Sequence, residues 1–320
     1  MKFRTEIEIA PFADKFGYDN RILALGSCFA DNMSKILKDA KFRVVSNPTG
    51  VLFNPASIAQ TLHRFESGRK AATGELRESG GRWFDYDFHG TLAAETPEKA
   101  LANIDAAIAA GHNALQECDR MIITFGTAWV YVLNETGKVV ANCHKQPANG
   151  FTRRRMTVEE IVGLFAPLLD GMLAKKKIIF TVSPVRHLGD GADENFLSKA
   201  TLKVAVAELV RRFANAYYFP AYEILNDDLR DYRFYADDLV HPSSRAIAYI
   251  REKFFDAALS EQAKRLLPRV EKIAAAAAHR PQNPADEAYR EFCRRQIEEI
   301  QTVEGVDLSA ELAYFASILQ

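Results

Sequence analysis

The sequence predicts an α/β protein: a three-layer α/β/α sandwich around a mostly parallel five-stranded sheet, with a C-terminal helical extension. Three observations predict it. Five short apolar runs alternate with segments of helical periodicity, each connection is long enough for a right-handed crossover, and strand signals vanish beyond about Ser260. Residues 1–260 therefore read as one α/β domain, and residues 261–320 as helices packed on it or used in self-association as a homo-oligomer.

Arg21 to Leu25 is a short buried strand, after which Phe29, Met33, Ile36 and Leu37 recur at helical spacing. Phe42 to Ser46 is the second strand, ending in the turn-rich Asn47-Pro48-Thr49-Gly50. A helix begins at Asn54-Pro55, where Asn caps and Pro takes the first position, with Ile58, Leu62 and Phe65 as its apolar stripe. Residues 68–94, with the aromatic alternation from Trp83 to Phe88, read as an inserted loop or hairpin over the sheet, either solvated or acting as a lid. Thr96-Pro97-Glu98 opens a helix to about Gln116.

Arg120 to Phe125 is the third strand, stopped by Gly126, and Trp129 to Asn142 is a hairpin turning at Asn134-Glu135-Thr136-Gly137. Arg153-Arg154-Arg155 reads as a solvated loop, or as a contact for an anion such as a coenzyme A phosphate. Thr157-Val158-Glu159-Glu160 has capping-box spacing before a helix to about Lys175. Lys177 to Val182 and Ala216 to Phe219 are the last two strands, separated by a helix over Asn195 to Ala214. Ser243 caps a helix through Phe255. In the tail, Lys272 to His279 and Glu287 to Thr302 are helical, and Pro281 and Pro284 separate them.

Composition narrows the function classes. Forty-one basic against 42 acidic residues give a net charge of -1, so no broad field favours nucleic acid or an anionic membrane. The start, Met1 to Glu8, lacks an apolar leader core, and nowhere do eighteen apolar residues run together, so a cytoplasmic protein is expected. Cys28, Cys118, Cys143 and Cys293 show no C-x-x-C pairing, which argues against a disulfide scaffold and a structural zinc site. Glycine-rich phosphate motifs are missing, and neither metal nor resident cofactor is expected.

Chemistry concentrates at two places. In Leu25-Gly26-Ser27-Cys28-Phe29-Ala30 an apolar run stops at glycine and enters a helix, so Ser27 and Cys28 face the crevice at the carboxyl edge of the sheet. Alternatively, Ser27 caps the helix and Cys28 fills core space. At the other end of the domain, Asp238 stands three residues before His241, close enough for a carboxylate to orient an imidazole; Asp237 is the second candidate for that role. Arg186 and His187 leave the fourth strand at the same edge, suited to an anion or a sugar hydroxyl, or to a structural salt bridge.

Four stretches together, Ile22 to Ala30, Thr124 to Trp129, Ser183 to His187 and Asp238 to Pro242, resemble the GSCFA domain family, a branch of the SGNH (GDSL-type) hydrolase superfamily. The resemblance covers about the first four-fifths of the chain. It implies a flavodoxin-like fold and ester or acyl chemistry. Matching Gly26 to the superfamily's Gly-Asp-Ser puts Ser27 at the aspartate and Cys28 at the nucleophile, with His241 as general base and acid and Asp238 as its orienter. Ser27 stays open as the nucleophile, since turn geometry can rotate either side chain into the crevice.

The resemblance also implies oxyanion donors at the nucleophile's own N–H and at Gly50. The superfamily's donor asparagine falls at Ala128, a loss typically worth about 2.7–4 kcal/mol of transition-state stabilisation. Asn142 or His144 are the candidate replacements, the other reading being a turn asparagine and a surface histidine. Arg186, His187, His144 and Trp129 are the candidate substrate-binding residues. The expected function is ester hydrolysis, a deacylase of a small or carbohydrate-linked acyl group working through an acyl-enzyme. Two alternatives stand beside it: acyl transfer, for example from acetyl-coenzyme A as co-substrate to a saccharide hydroxyl, and a non-catalytic carbohydrate-binding module.

Overall fold

The computed structural model describes residues 4–320 except 280, 282, 284 and 285. Met1, Lys2 and Phe3 of the leader reading, and Pro284 of the predicted tail break, lie outside the described residues. Five strands form the central sheet. In chain order the elements are β1 (Arg21–Gly26), α1 (Cys28–Asp39), β2 (Arg43–Ser46), α2 (Pro55–Ser67), β3 (Arg77–Ser79), β4 (Arg82–Phe84), α3 (Pro97–Glu117) and β5 (Arg120–Phe125). Then follow β6 (Trp129–Leu133), β7 (Val139–Val140), β8 (Phe151–Arg155), α4 (Val158–Asp170), β9 (Lys177–Val182), α5 (Ala192–Arg212) and β10 (Ala216–Tyr218). A short α6 (Ala221–Glu223) precedes α7 (Ser244–Ala258), α8 (Glu261–Ala278), α9 (Glu287–Gln301) and α10 (Ser309–Leu319).

The sheet runs β10-β9-β5-β1-β2, and every pairing in it is parallel. Counting only its own strands, the order is 2-1-3-4-5 read from the other edge, and the direction of winding reverses between β1 and β5. Alternate side chains of β1 point to opposite faces. Ile22 and Ala24 join a core with Phe29, Met33 and Leu37 of α1 and Ile250 and Phe254 of α7. Leu23 and Leu25 join one with Ile58 and Leu62 of α2, Phe165 of α4 and Leu202 and Val206 of α5. Burial on both faces explains why β1, β5 and β9 read as continuous apolar runs.

The C-terminal helices extend the first of these cores. Val270, Ile273, Cys293 and Phe315 are buried in it, and the buried Glu311 pairs with Lys41 next to α1. The tail is therefore packed against the sandwich. Residues 77–84 form the expected hairpin, turning at Gly80-Gly81, and pack with α3 through Leu76, Phe88, Ile104 and Ile108.

Three expectations are corrected. Arg153-Arg154-Arg155 is not a loop but the end of β8, which pairs antiparallel with β6 to make a three-stranded β7-β6-β8 sheet. Alternation along β8 brings Arg153 and Arg155 beside Trp129 and lets each arginine meet an acid: Arg153 with Asp190, Arg154 with Glu160 and Arg155 with Glu194. The second correction is that α4 stops at Asp170, five residues short of Lys175, because the chain turns at Gly171. Finally, α5 starts at Ala192 rather than Asn195.

Candidate active site

Gly26 makes the first turn possible. Its φ is +137°, and a Cβ there would lie 2.1 Å from the Thr124 carbonyl oxygen, so only glycine lets β1 run this close to β5 while turning. Ser27 follows as the N-cap of α1. It is 2% exposed, and its Oγ accepts from the Phe29 N–H at 3.3 Å. Cys28 takes the first helical position, half-buried, where backbone N–H groups have no intrahelical acceptor. The two side chains thus part: the hydroxyl turns back to the helix and the thiol turns toward His241.

Facing it is a tight turn at residues 236–242. Leu239 takes a left-handed φ of +57°, the Ala236 N–H donates to the His241 carbonyl at 2.8 Å, and Tyr235 bridges Pro242. The turn brings Asp238 back onto His241: Oδ2 lies 2.7 Å from Nδ1, while Oδ1 accepts from the Val240 and His241 N–H groups at 2.9 Å each. These two N–H donors, with the imidazole, hold the Asp238 carboxyl down at about 2. Asp237 is exposed, and it is Asp238 that holds the ring. His241 Nε2 lies 3.9 Å from Cys28 Sγ. Burial pushes the Cys28 thiol above its ordinary value; the Phe29 amide and Lys199 pull it down, and Asp31 pushes it up.

The remaining candidates separate into two groups. Trp129, Asn142 and His187 line a cavity of about 390 Å³, with Phe53, Tyr131 and Phe151 as further walls. That cavity adjoins the Gly26–Cys28 turn, because the Phe53 carbonyl accepts from both Gly126 and Thr127, and Gly126 packs on Ser27. Arg186 forms no salt bridge among the described residues; its guanidinium lies over the Tyr235 ring at 4.0 Å, and its N–H donates to the Val240 carbonyl at 3.1 Å, bracing the His241 turn.

Gly50 and His144 are placed otherwise than expected. The Gly50 N–H donates to the Asn47 carbonyl at 2.8 Å, closing its own turn, and is already committed. His144 is half-buried rather than a surface residue: Nε2 sits between the Asp85 and Phe88 carbonyls at 3.0 and 3.1 Å, and the ring stacks on Phe84 at 4.2 Å. Burial lowers its pKa, so the neutral ring serves as a tie for the inserted loop. Asn142 accepts from the His144 N–H at 2.7 Å while lining the cavity.

Sequence reasoning missed Ser198 and Lys199 of α5. Ser198 Oγ accepts from the Ala128 N–H at 2.8 Å and meets Thr127 Oγ1 at 3.1 Å. Lys199, 2% exposed, donates to the Gly126 and Ser183 carbonyls at 2.6 and 2.7 Å. A signal was present. Asn195, Ser198 and Lys199 continue, at helical spacing, the buried stripe Leu202, Ala205, Val206 and Leu209, and polar residues in register with an apolar stripe are buried with it.

The fold and site define a flavodoxin-ordered α/β/α sandwich that carries a thiol–imidazole–carboxylate line at the switch point between β1 and β5. The chain belongs to the GSCFA family: the description "GSCFA family" matches residues 21–254, and "GSCFA domain protein, C-terminal domain" matches residues 270–320. No curated protein matches the chain. Among solved structures, it is similar to one titled a carbohydrate esterase family 3 from Talaromyces cellulolyticus, at 11% identity and a TM-score of 0.25. That match covers 48% of this chain and 60% of the other. Among the described residues, no group of three or more His, Cys, Asp or Glu side chains could hold a metal ion, and no helix is long and apolar enough to cross a membrane.

Proposed function

We propose that this protein is an SGNH-type ester hydrolase that removes a small or carbohydrate-linked acyl group through a thioester on Cys28. One observation carries the reading: Cys28 Sγ, His241 and Asp238 stand in line at the carboxyl edge of a parallel sheet, with the thiol at a helix N-terminus. His241 Nε2 takes the thiol proton as Sγ attacks the ester carbonyl carbon. The tetrahedral oxyanion gathers at the Cys28 N–H, since the Phe29 and Ala30 N–H groups already donate to Ser27. The carbon–oxygen bond then breaks, the leaving alcohol takes the proton from His241, and the acyl group remains on sulfur. Water attacks next, giving its proton to His241. The carbon–sulfur bond cleaves, the acid departs, and His241 returns the proton to the thiol. Asp238 holds the ring throughout and balances its charge.

The cavity walled by Trp129, Tyr131 and Phe151 would receive the acyl group or the sugar beside the thiol. The test is incubation with p-nitrophenyl acetate and with acetylated saccharides, with mass spectrometry for an acyl adduct on the Cys28 peptide. An acetyl adduct that C28A and H241A both lose supports the reading; turnover that survives C28A overturns it. A parallel incubation with acetyl-coenzyme A and unmodified saccharides would report acyl transfer if the sugar gains the acetyl group. Saccharide binding unchanged in C28A and H241A, with no turnover of any ester, would identify a binding module instead.

A further inference from the structure

The pairing of β6 with β8 sorts their side chains onto two faces. Val130 and Val132 turn to the core shared by α2, α4 and α5. Trp129 and Tyr131 take the other face together with Phe151 and Arg153, because Tyr131 lies opposite Arg153 and successive residues alternate. This second face is one wall of the cavity of about 390 Å³, and Asn142 and Gln146, from the segment after β7, line the same cavity. Arg153 lies across the rings, 4.4 Å from the Trp129 centroid and 5.3 Å from that of Tyr131. Both of its terminal nitrogens go to Asp190, so the arginine brings no unbalanced charge to the wall.

We propose that this aromatic face is a saccharide subsite: it takes the uncharged sugar ring of an O-acylated saccharide and leaves the ester carbonyl to Cys28. The proposal rests on the hydrolase reading for its place in a reaction, but the binding it describes needs no turnover. Three observations favour a neutral sugar over an acyl chain, an acidic sugar or a flat aromatic ligand. Asn142 Oδ1 and Gln146 Nε2 are spent on the His144 N–H and carbonyl, whereas Asn142 Nδ2 and Gln146 Oε1 make no hydrogen bond among the described residues. An apolar acyl chain would strip water from that donor and acceptor and return nothing, while sugar hydroxyls serve both. An acidic sugar would need a cation, and Arg153 is already committed to Asp190. Tyr131 and Phe151 stand at 88° with centroids 6.4 Å apart, a corner rather than a parallel-sided slot. A flat base fits between parallel rings; a puckered ring can lay its C–H face on one electron-rich ring face and turn its hydroxyls to the amides.

The experiment is calorimetric titration of the full chain carrying C28A, which cannot form the thioester, with cellotriose, xylotriose and triacetylchitotriose. Trigalacturonate and adenosine are the acidic and flat aromatic contrasts. At least one neutral trisaccharide binds, more tightly than either contrast, and adding Tyr131→Ala or Phe151→Ala weakens it about tenfold. Tyr131 is 40% exposed, so its truncation leaves the core intact and decides the matter even where Phe151→Ala does not fold. No binding of any neutral trisaccharide overturns the proposal, as does binding that Tyr131→Ala leaves unchanged or a contrast that binds more tightly than all three. The two readings fail separately. Turnover of p-nitrophenyl acetate by the native chain, with no saccharide bound, would keep the hydrolase and remove the subsite. Binding that depends on Tyr131, with no ester turned over, would remove the hydrolase and keep the subsite.

Discussion

Strands β1 and β5 lie side by side, with Gly26 opposite Thr124, and each runs into a Gly-x-x turn at the same sheet edge. Their fates differ. Gly26-Ser27-Cys28 passes at once into α1, so the third residue opens a helix with a half-buried thiol, while Ser27 takes the Phe29 and Ala30 N–H groups. Gly126-Thr127-Ala128 passes into β6, and α5 clamps it: Ser198 takes the Ala128 N–H, Lys199 takes the Gly126 carbonyl, and Ala128 is fully buried. The element that follows a turn decides what it offers. A helix start leaves a donor and a projecting side chain for a ligand, whereas a clamped strand start consumes both.

The sharpest way to break this contrast is at the projecting residue. C28A abolishes iodoacetamide labelling at the turn and lowers any ester turnover by roughly 10³-fold or more, read by initial rates. At the clamped turn the expectation reverses. Ser198→Ala leaves the buried Ala128 N–H unpaired and costs about 1–3 kcal/mol in chemical denaturation, with Cys28 labelling intact. Ser27→Ala removes the cap of α1 and costs about 0.5–2 kcal/mol, again without loss of Cys28 labelling. Ester turnover lost in Ser27→Ala and kept in C28A would make Ser27 the reacting group.

A pH-dependent effect lies outside both turns. Burial raises the Asp85 carboxyl from 3.8 to about 6, so the folded chain holds that proton more tightly than the unfolded chain. Stability therefore falls as pH rises from 3.8 to 6, and the cost is complete above that window. Asp85→Asn should gain in melting temperature over the native chain as pH is raised from 4 to 7. A constant difference across that range would show that Asp85 is not held protonated.

The sheet was readable because its strands carry unbroken apolar runs between capped helices, as at Asn54-Pro55 and Thr157 to Glu160. Leu25 to Cys28 and Asp238 to His241 were readable because adjacent residues set their local geometry. Arg153 to Arg155 misled because a polar edge strand lacks apolar alternation; its partner β6 and its acids Asp190, Glu160 and Glu194 are supplied by the fold. Gly50 and His144 failed for a related reason. Whether an N–H or ring nitrogen is free depends on carbonyls that sequence does not place, such as Asn47 for one and Asp85 and Phe88 for the other.

The Asp238–His241 turn has a mechanical consequence. Among the described residues, every hydrogen bond of the Asp238 side chain ends on Val240 or His241, inside the same short turn. Carboxylate and imidazole are therefore one rigid piece, anchored through the Arg186 N–H and the Tyr235–Pro242 bridge. Closing the 3.9 Å gap to Cys28 by moving that piece would leave all of its internal bonds intact.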